Sequence, residues 1–190
     1  MNLPAPVILA SNSPRRKELL SELEVEFEIL VRPVSEYFPE DIHPRAVAVL
    51  VSENKAKAYD DLSPDNIVIT ADTIVALEGE IMGKPENREH AVEMLTKLSG
   101  KTHHVVTGVT VFWKGRFKSF AEETLVTFKP LTREEIDYYI DTCEPYDKAG
   151  AYGIQEWIGK IGITGIEGDY YGVIGLPLCK LYQELTQLSA

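Results

Sequence analysis

The stretch Val7-Ile8-Leu9-Ala10-Ser11-Asn12-Ser13-Pro14-Arg15-Arg16 decides the fold class. Val7 to Ala10 is a short apolar run after Pro6, the pattern of a buried strand. Ser13-Pro14 supplies an N-cap followed by proline at the first helical position. Leu19, Leu20, Leu23 and Phe27 then give the expected helix an apolar face. A strand that turns directly into a helix opens an α/β chain, provided the alternation continues.

It does continue. Pro44 opens a second helix, with Ala48, Val51, Lys55 and Ala58 along one stripe. Ser63-Pro64-Asp65-Asn66 reads as a turn. Ile67 to Leu77 is apolar and β-branched, broken only by Thr70, Asp72 and Thr73, and Glu78-Gly79-Glu80 reverses the chain. A third helix is expected from near Asn87 to Ser99-Gly100. His103 to Trp113 and Phe117 to Phe128 form a hairpin around Lys114-Gly115. Thr132 and Glu135 make a capping box for a helix through Tyr139. Ala149 to Tyr171, rich in glycine and aromatics, suits loops and strands close to a ligand, and Leu176 to Leu188 closes the chain as an amphipathic helix. With no repeats and no low-complexity linkers, residues 1–190 are expected to form a single α/β domain.

Composition narrows the function classes. The chain is 44% hydrophobic and 26% charged, an ordinary globular balance that argues against disorder. No apolar run approaches the ~20 residues that span a bilayer, and Met1 to Pro6 lacks the features of a signal peptide. Two cysteines without CxxC spacing argue against a disulfide framework or structural zinc, so a reducing cytoplasm is expected. The net charge of −11 makes general nucleic-acid binding unfavourable. Clustered cations are informative against that background.

Ser11-Asn12-Ser13-Pro14-Arg15-Arg16 concentrates two hydroxyls and two guanidinium groups where backbone N–H groups and a helix dipole favour an anion. The first turn of a helix normally prefers acids, so the arginine pair is out of place unless an anion visits. Solvated arginines on a capped helix are the plain alternative. Asp72 interrupts a β run in which aspartate is disfavoured, which suits a general base or a metal-binding carboxylate, or merely a bulge. Thr73 follows it. Lys55, on a packed helical stripe, either snorkels or reaches a phosphate. Lys84 lies in the tight Met82-Gly83-Lys84-Pro85 segment. Glu36, in a loop, could join Asp72 as a two-carboxylate Mg²⁺ site, since that ion takes few protein ligands plus phosphate oxygens. His43, His90, His103 and His104 lack metal-ligand spacing, and His103-His104 reads as strand entry.

Together these residues resemble the Maf family. The match runs in order through Ser11-x-Ser13-Pro14-Arg15-Arg16, Ala71-Asp72-Thr73, Gly83-Lys84-Pro85, Leu98-Ser99-Gly100 and Val106-Thr107-Gly108-Val109. It continues through Tyr146-Asp147-Lys148-Ala149-Gly150-Ala151-Tyr152-Gly153-Ile154-Gln155 and Gly168-Asp169-Tyr170-Tyr171 to Gly175-Leu176-Pro177-Leu178. The resemblance implies a long curved mixed sheet flanked by helices, with two lobes and a central cleft, similar to the ITPase fold. It implies metal-dependent hydrolysis of a nucleoside triphosphate to a monophosphate and pyrophosphate, with Mg²⁺ or Mn²⁺, in a homodimer. Arg15, Thr73 and Gln155 resemble the branch that takes dTTP and UTP, rather than the relative that prefers 7-methyl-GTP. On this resemblance Asp72 is the proton acceptor, with Glu36 as second metal ligand. Lys55, Lys84, Arg15 and Arg16 meet the triphosphate, Ser11 and Ser13 donate to it, and Thr73 and Gln155 read the base. A rival of another class is a non-enzymatic nucleotide-binding regulator of septum formation. The resemblance departs at Gly172, where many relatives carry asparagine.

Overall fold

A computed structural model describes residues 1–39 and 42–189. The chain runs β1 (Val7–Leu9), α1 (Pro14–Glu22), β2 (Phe27–Ile29), α2 (Pro44–Lys57), β3 (Ile67–Leu77), β4 (Glu80–Met82), α3 (Arg88–Leu98) and the hairpin β5 (Thr102–Trp113) and β6 (Arg116–Phe128). It ends with α4 (Arg133–Cys143), two short 3₁₀ turns, α5 (Trp157–Gly162), β7 (Ile163–Glu167), α6 (Tyr170–Ile174) and α7 (Leu178–Thr186).

Side-chain caps fix most of these boundaries. Ser13 accepts from Arg16 N ahead of Pro14, Asn87 accepts from His90 N, and Thr132 with Glu135 closes both bonds of a capping box. Phe27 does not extend the face of α1. That helix stops at Glu22, and Phe27 opens β2, which pairs in parallel with β1. Helix α4 continues one turn past Tyr139 to Cys143.

The strands form one mixed, open sheet in the order β2-β1-β3-β5-β6-β7, with β4 also paired to β3. The pairs β2–β1 and β1–β3 are parallel, and the others are antiparallel. β3 organises the molecule through the alternation of its side chains. Ile67, Ile69 and Ala71 pack with Leu19 and Leu20 of α1 and Leu181 and Leu185 of α7. Farther along the same face, Val75 and Leu77 pack with α3, α4 and α5. These two apolar clusters are the two lobes. On the opposite face, α2 lies over β3, β5 and β6, joining Val47, Ala48 and Val51 to Ile74, Val106 and Ala121.

Helix α2 comes unusually close to the sheet at Gly108. A Cβ on that residue would overlap the Ala48 carbonyl group and lie 2.7 Å from Val49 N. Buried polar groups add to the register: Thr70 donates to the Ser52 carbonyl at 2.7 Å, and the Ser52 and Thr110 hydroxyls are 2.9 Å apart.

Candidate active site

One edge of β3 is shared between two short strands. β1 pairs with Ile67–Ile69, and β4 pairs with Val75–Leu77. Between them, around Asp72 and Thr73, the edge opens into a cleft of about 870 Å³. Neighbouring strand residues point to opposite faces, so Asp72 looks toward α2 and Thr73 toward α1 and α6. Both line the cleft because it wraps around this open edge.

On the α2 side, Lys55 stands two turns beyond Ala48, and its ammonium is bound by two carboxylates. Nζ lies 2.8 Å from Asp72 Oδ1 and 2.7 Å from Glu36 Oε1. Burial raises the Glu36 carboxyl, but the Lys55 ammonium, helped by Lys84 and Arg16, outweighs burial and holds it below its ordinary range. Lys84 is exposed on the rim, and its loop is tethered by Gly150 N–H donating to Gly83 O at 3.0 Å. Among the described residues no cluster of three or more His, Cys, Asp or Glu side chains could hold a metal. The candidate oxygens are those of Glu36 and Asp72.

The other wall is the β1–α1 loop. Ser11 is buried and accepts from Ser13 N–H at 3.2 Å, leaving its own hydroxyl hydrogen available to the cleft. Arg16 is partly buried and crosses to the far segment, donating from Nε to Gly175 O at 2.9 Å and from Nη2 to Thr73 Oγ1 at 3.0 Å. Desolvation lowers the Arg16 pKa, against the pull of Asp72. Arg15 binds Asp147 at 2.9 Å.

Asp147 leads to residues that sequence reasoning left without a role. Lys148, buried, contacts Asp147 at 2.6 Å and Glu156 at 3.1 Å. Glu156 accepts from the Tyr139 hydroxyl, which accepts from Gly153 N–H at 3.0 Å. This network holds the turn that carries Gln155. Helix α5 tightens the same turn, since a Cβ at Gly159 would overlap Ile154 O. Gln155 Oε1 is buried in the cleft wall and has no hydrogen-bond partner among the described residues. Such an orphan acceptor in the wall of a roomy cleft is suited to a ligand donor. Asp147 and Lys148 were visible only as members of a motif. Tyr139 and Glu156 gave no signal, because Tyr139 lies 17 positions from Glu156 and 14 from Gly153 in the chain.

The structure thus brings Ser11, Ser13, Arg15, Arg16, Glu36, Lys55, Asp72, Thr73, Lys84 and Gln155 to one cleft. His103 sits elsewhere, buried, with Nε2 2.7 Å from the Tyr152 hydroxyl; burial, with His104 nearby, pushes its imidazole down to about 4. Gly172 does not line the cleft, and a Cβ there would make ordinary contacts with Asp169 and Pro177.

A family model described as "Maf-like protein" matches residues 6–188. The chain belongs to this family. Proteins named dTTP/UTP pyrophosphatase are similar over nearly their whole lengths. That of Phocaeicola vulgatus is 52% identical over 184 residues, covering 96% of this chain and 95% of the relative. That of Bacteroides thetaiotaomicron is 51% identical with the same coverage. Among solved structures, the Ham1 protein of Staphylococcus aureus aligns with a TM-score of 0.40 and 20% identity, covering 65% of this chain and 71% of that one. Among the described residues of this Maf-like protein, no helix is long and apolar enough to cross a membrane.

Proposed function

We propose that the protein is a nucleoside triphosphate pyrophosphatase that takes dTTP and UTP. The observation that carries this reading is the convergence of Asp72, Glu36 and Lys55 opposite the Ser11–Arg16 loop. A base, cations and neutral donors face one another across a cleft large enough for a nucleotide.

In this reading Asp72 is the general base. Lys55 holds Oδ1, and among the described residues Oδ2 carries no hydrogen bond, so it is available to a water. The water oxygen attacks the α-phosphorus, its proton passes to Asp72, and the bond to the bridging oxygen breaks to release pyrophosphate. Arg15, Arg16, Lys55 and Lys84 spread over the triphosphate as charge moves onto the leaving group. Ser11 and Ser13 donate from the same loop. Glu36 and Asp72 are hard oxygen donors that meet at the Lys55 ammonium, and two such carboxylates are a donor set that would suit Mg²⁺ or Mn²⁺. When bound, that ion would neutralise phosphate oxygens. Gln155 meets the base through its unpartnered carbonyl oxygen, which suits the N3–H of uracil and thymine. The relatives named dTTP/UTP pyrophosphatase support the same substrates. Family resemblance adds a cytoplasmic homodimer to this reading.

The test is pyrophosphate release from dTTP, UTP, CTP, dGTP, ATP and 7-methyl-GTP, with and without Mg²⁺ or Mn²⁺, for the native protein and Asp72→Asn. Metal-dependent release led by dTTP and UTP is expected. Asp72→Asn should reduce it at least about 10²-fold with folding intact. Release from no nucleotide would move the reading to a binding regulator, and near-native turnover by Asp72→Asn would remove it as the base.

A further inference from the structure

The two threonines beneath Arg16 form a directional chain. Thr73 and Thr107 are opposite each other in the β3–β5 register, so their side chains share a face. Their hydroxyls are 2.9 Å apart. Thr107, fully buried, donates its only hydroxyl hydrogen to Gly172 O at 2.7 Å. The hydrogen between the two threonines must therefore come from Thr73. Arg16 Nη2 can only donate, and it donates to Thr73 Oγ1 at 3.0 Å. Every direction in the chain is fixed: Arg16 to Thr73, Thr73 to Thr107, Thr107 to Gly172 O.

Arg16 has a second anchor, from Nε to Gly175 O at 2.9 Å. Both ends of the network thus land on carbonyls of the α6 segment. Two anchors on one planar guanidinium fix its orientation; Nη1 also donates to Ser11 Oγ at 3.5 Å, and the N–H groups not used in these bonds are left for the cleft. Thr73, with its hydrogen directed at Thr107, can offer a ligand only an acceptor.

We propose that Thr107 is a positioning residue for this reaction: acting through Thr73, it aims the Arg16 guanidinium at the phosphate chain and ties it to the Gly172–Gly175 segment. The inference rests on the pyrophosphatase reading, and on Arg16 as a triphosphate-binding group. Thr107 touches no substrate in this arrangement. It does not line the cleft and meets it through Thr73, so an effect exerted on the guanidinium must vanish when Arg16 is removed, whereas one exerted through Thr73 alone must survive.

The experiment is steady-state pyrophosphate release from dTTP by Thr107→Val, Thr107→Ser, Arg16→Ala and the Thr107→Val/Arg16→Ala pair, with thermal unfolding of each. Thr107→Val should lower kcat/KM about tenfold, the equivalent of about 1.4 kcal/mol. Thr107→Ser, which keeps the hydroxyl, should recover most of it. In the Arg16→Ala background, Thr107→Val should cost little more. If Thr107→Val does not fold, Thr107→Ala against Thr107→Ser makes the same comparison. Full additivity with Arg16→Ala, or equal losses in the serine and valine variants, would overturn the positioning role while leaving the pyrophosphatase intact. Native kcat/KM in Arg16→Ala would remove Arg16 as a phosphate ligand and this inference with it. Absence of release from the native protein would defeat the pyrophosphatase reading itself.

Discussion

Gly108→Ala tests how the sheet and α2 together place Lys55 against Asp72. The added Cβ would stand 2.7 Å from Val49 N and closer still to the Ala48 carbonyl, whereas ordinary contact begins at 3.4 Å. Neither neighbour is a flexible side-chain tip; both are helix backbone. Helix α2 must therefore retreat from β5 by about 1.1 Å, the difference between 3.4 Å and the 2.3 Å to the Ala48 carbonyl atoms. Overpacking of this kind costs about 1–3 kcal/mol. In a domain of this size that lowers Tm by about 2–4 °C per kcal/mol. Lys55 rides on the same helix, two turns along, so its 2.8 Å contact with Asp72 must stretch with the retreat. Misplacement near 1 Å costs up to about 10²-fold in rate, so turnover should fall further than the loss of folded protein explains. Differential scanning calorimetry and pyrophosphate release at a temperature where both proteins are folded separate the two effects. Native Tm and native turnover together would refute the claim that the Gly108–Ala48 approach sets the Lys55–Asp72 distance.

Three further outcomes are expected. Tyr139→Phe strands Gly153 N–H and one oxygen of Glu156, and should destabilise by about 1–3 kcal/mol in urea unfolding, with altered use of dTTP because the Gln155 turn loosens. Lys148→Met removes the buried cation between Asp147 and Glu156; since Asp147 is largely exposed, a loss of about 2 kcal/mol, below that of a fully buried pair, should appear in the same assay. His103, held near 4 in the folded state against 6.5 ordinarily, binds fewer protons folded than unfolded between those values. Its contribution is therefore intact above pH 6.5 and falls as pH drops, by about 2 kcal/mol at pH 5. His103→Gln should flatten the stability profile between pH 7 and 5; an unchanged slope would show that His103 does not set it.

Local signals carried the secondary structure where a side chain completes a bond to its own backbone neighbours, as at Ser13, Asn87 and Thr132 with Glu135. They failed at Phe27, whose spacing from Leu19 and Leu23 suits a helical stripe as well as it suits a three-residue strand. Only the parallel pairing with β1 distinguishes the two, and pairing is not local. The candidate site was legible where a residue violated local preference: arginines in a first helical turn, and an aspartate in a β-branched run. Thr107 violated nothing. Threonine is at home in a strand, so its hydroxyl chain to Arg16 left no trace in the pattern. Lys148 stood out only as a member of the motif, and only the fold brings Tyr139 to Glu156.

The carboxylates that hold the cleft's cations have a consequence for discrimination. Lys55 is shared by Glu36 and Asp72, while Asp147 holds both Arg15 and Lys148. An incoming anion finds no bare positive charge on these groups. It has to displace an internal competitor that is already in place and covalently tethered. A singly charged anion gains little by such an exchange, whereas a triphosphate can contact several cations at once and outcompete the tethered groups collectively. At Lys55, Arg15 and Lys148 a small anion therefore meets an incumbent, and the contest there turns on how many of these groups one anion can engage at once.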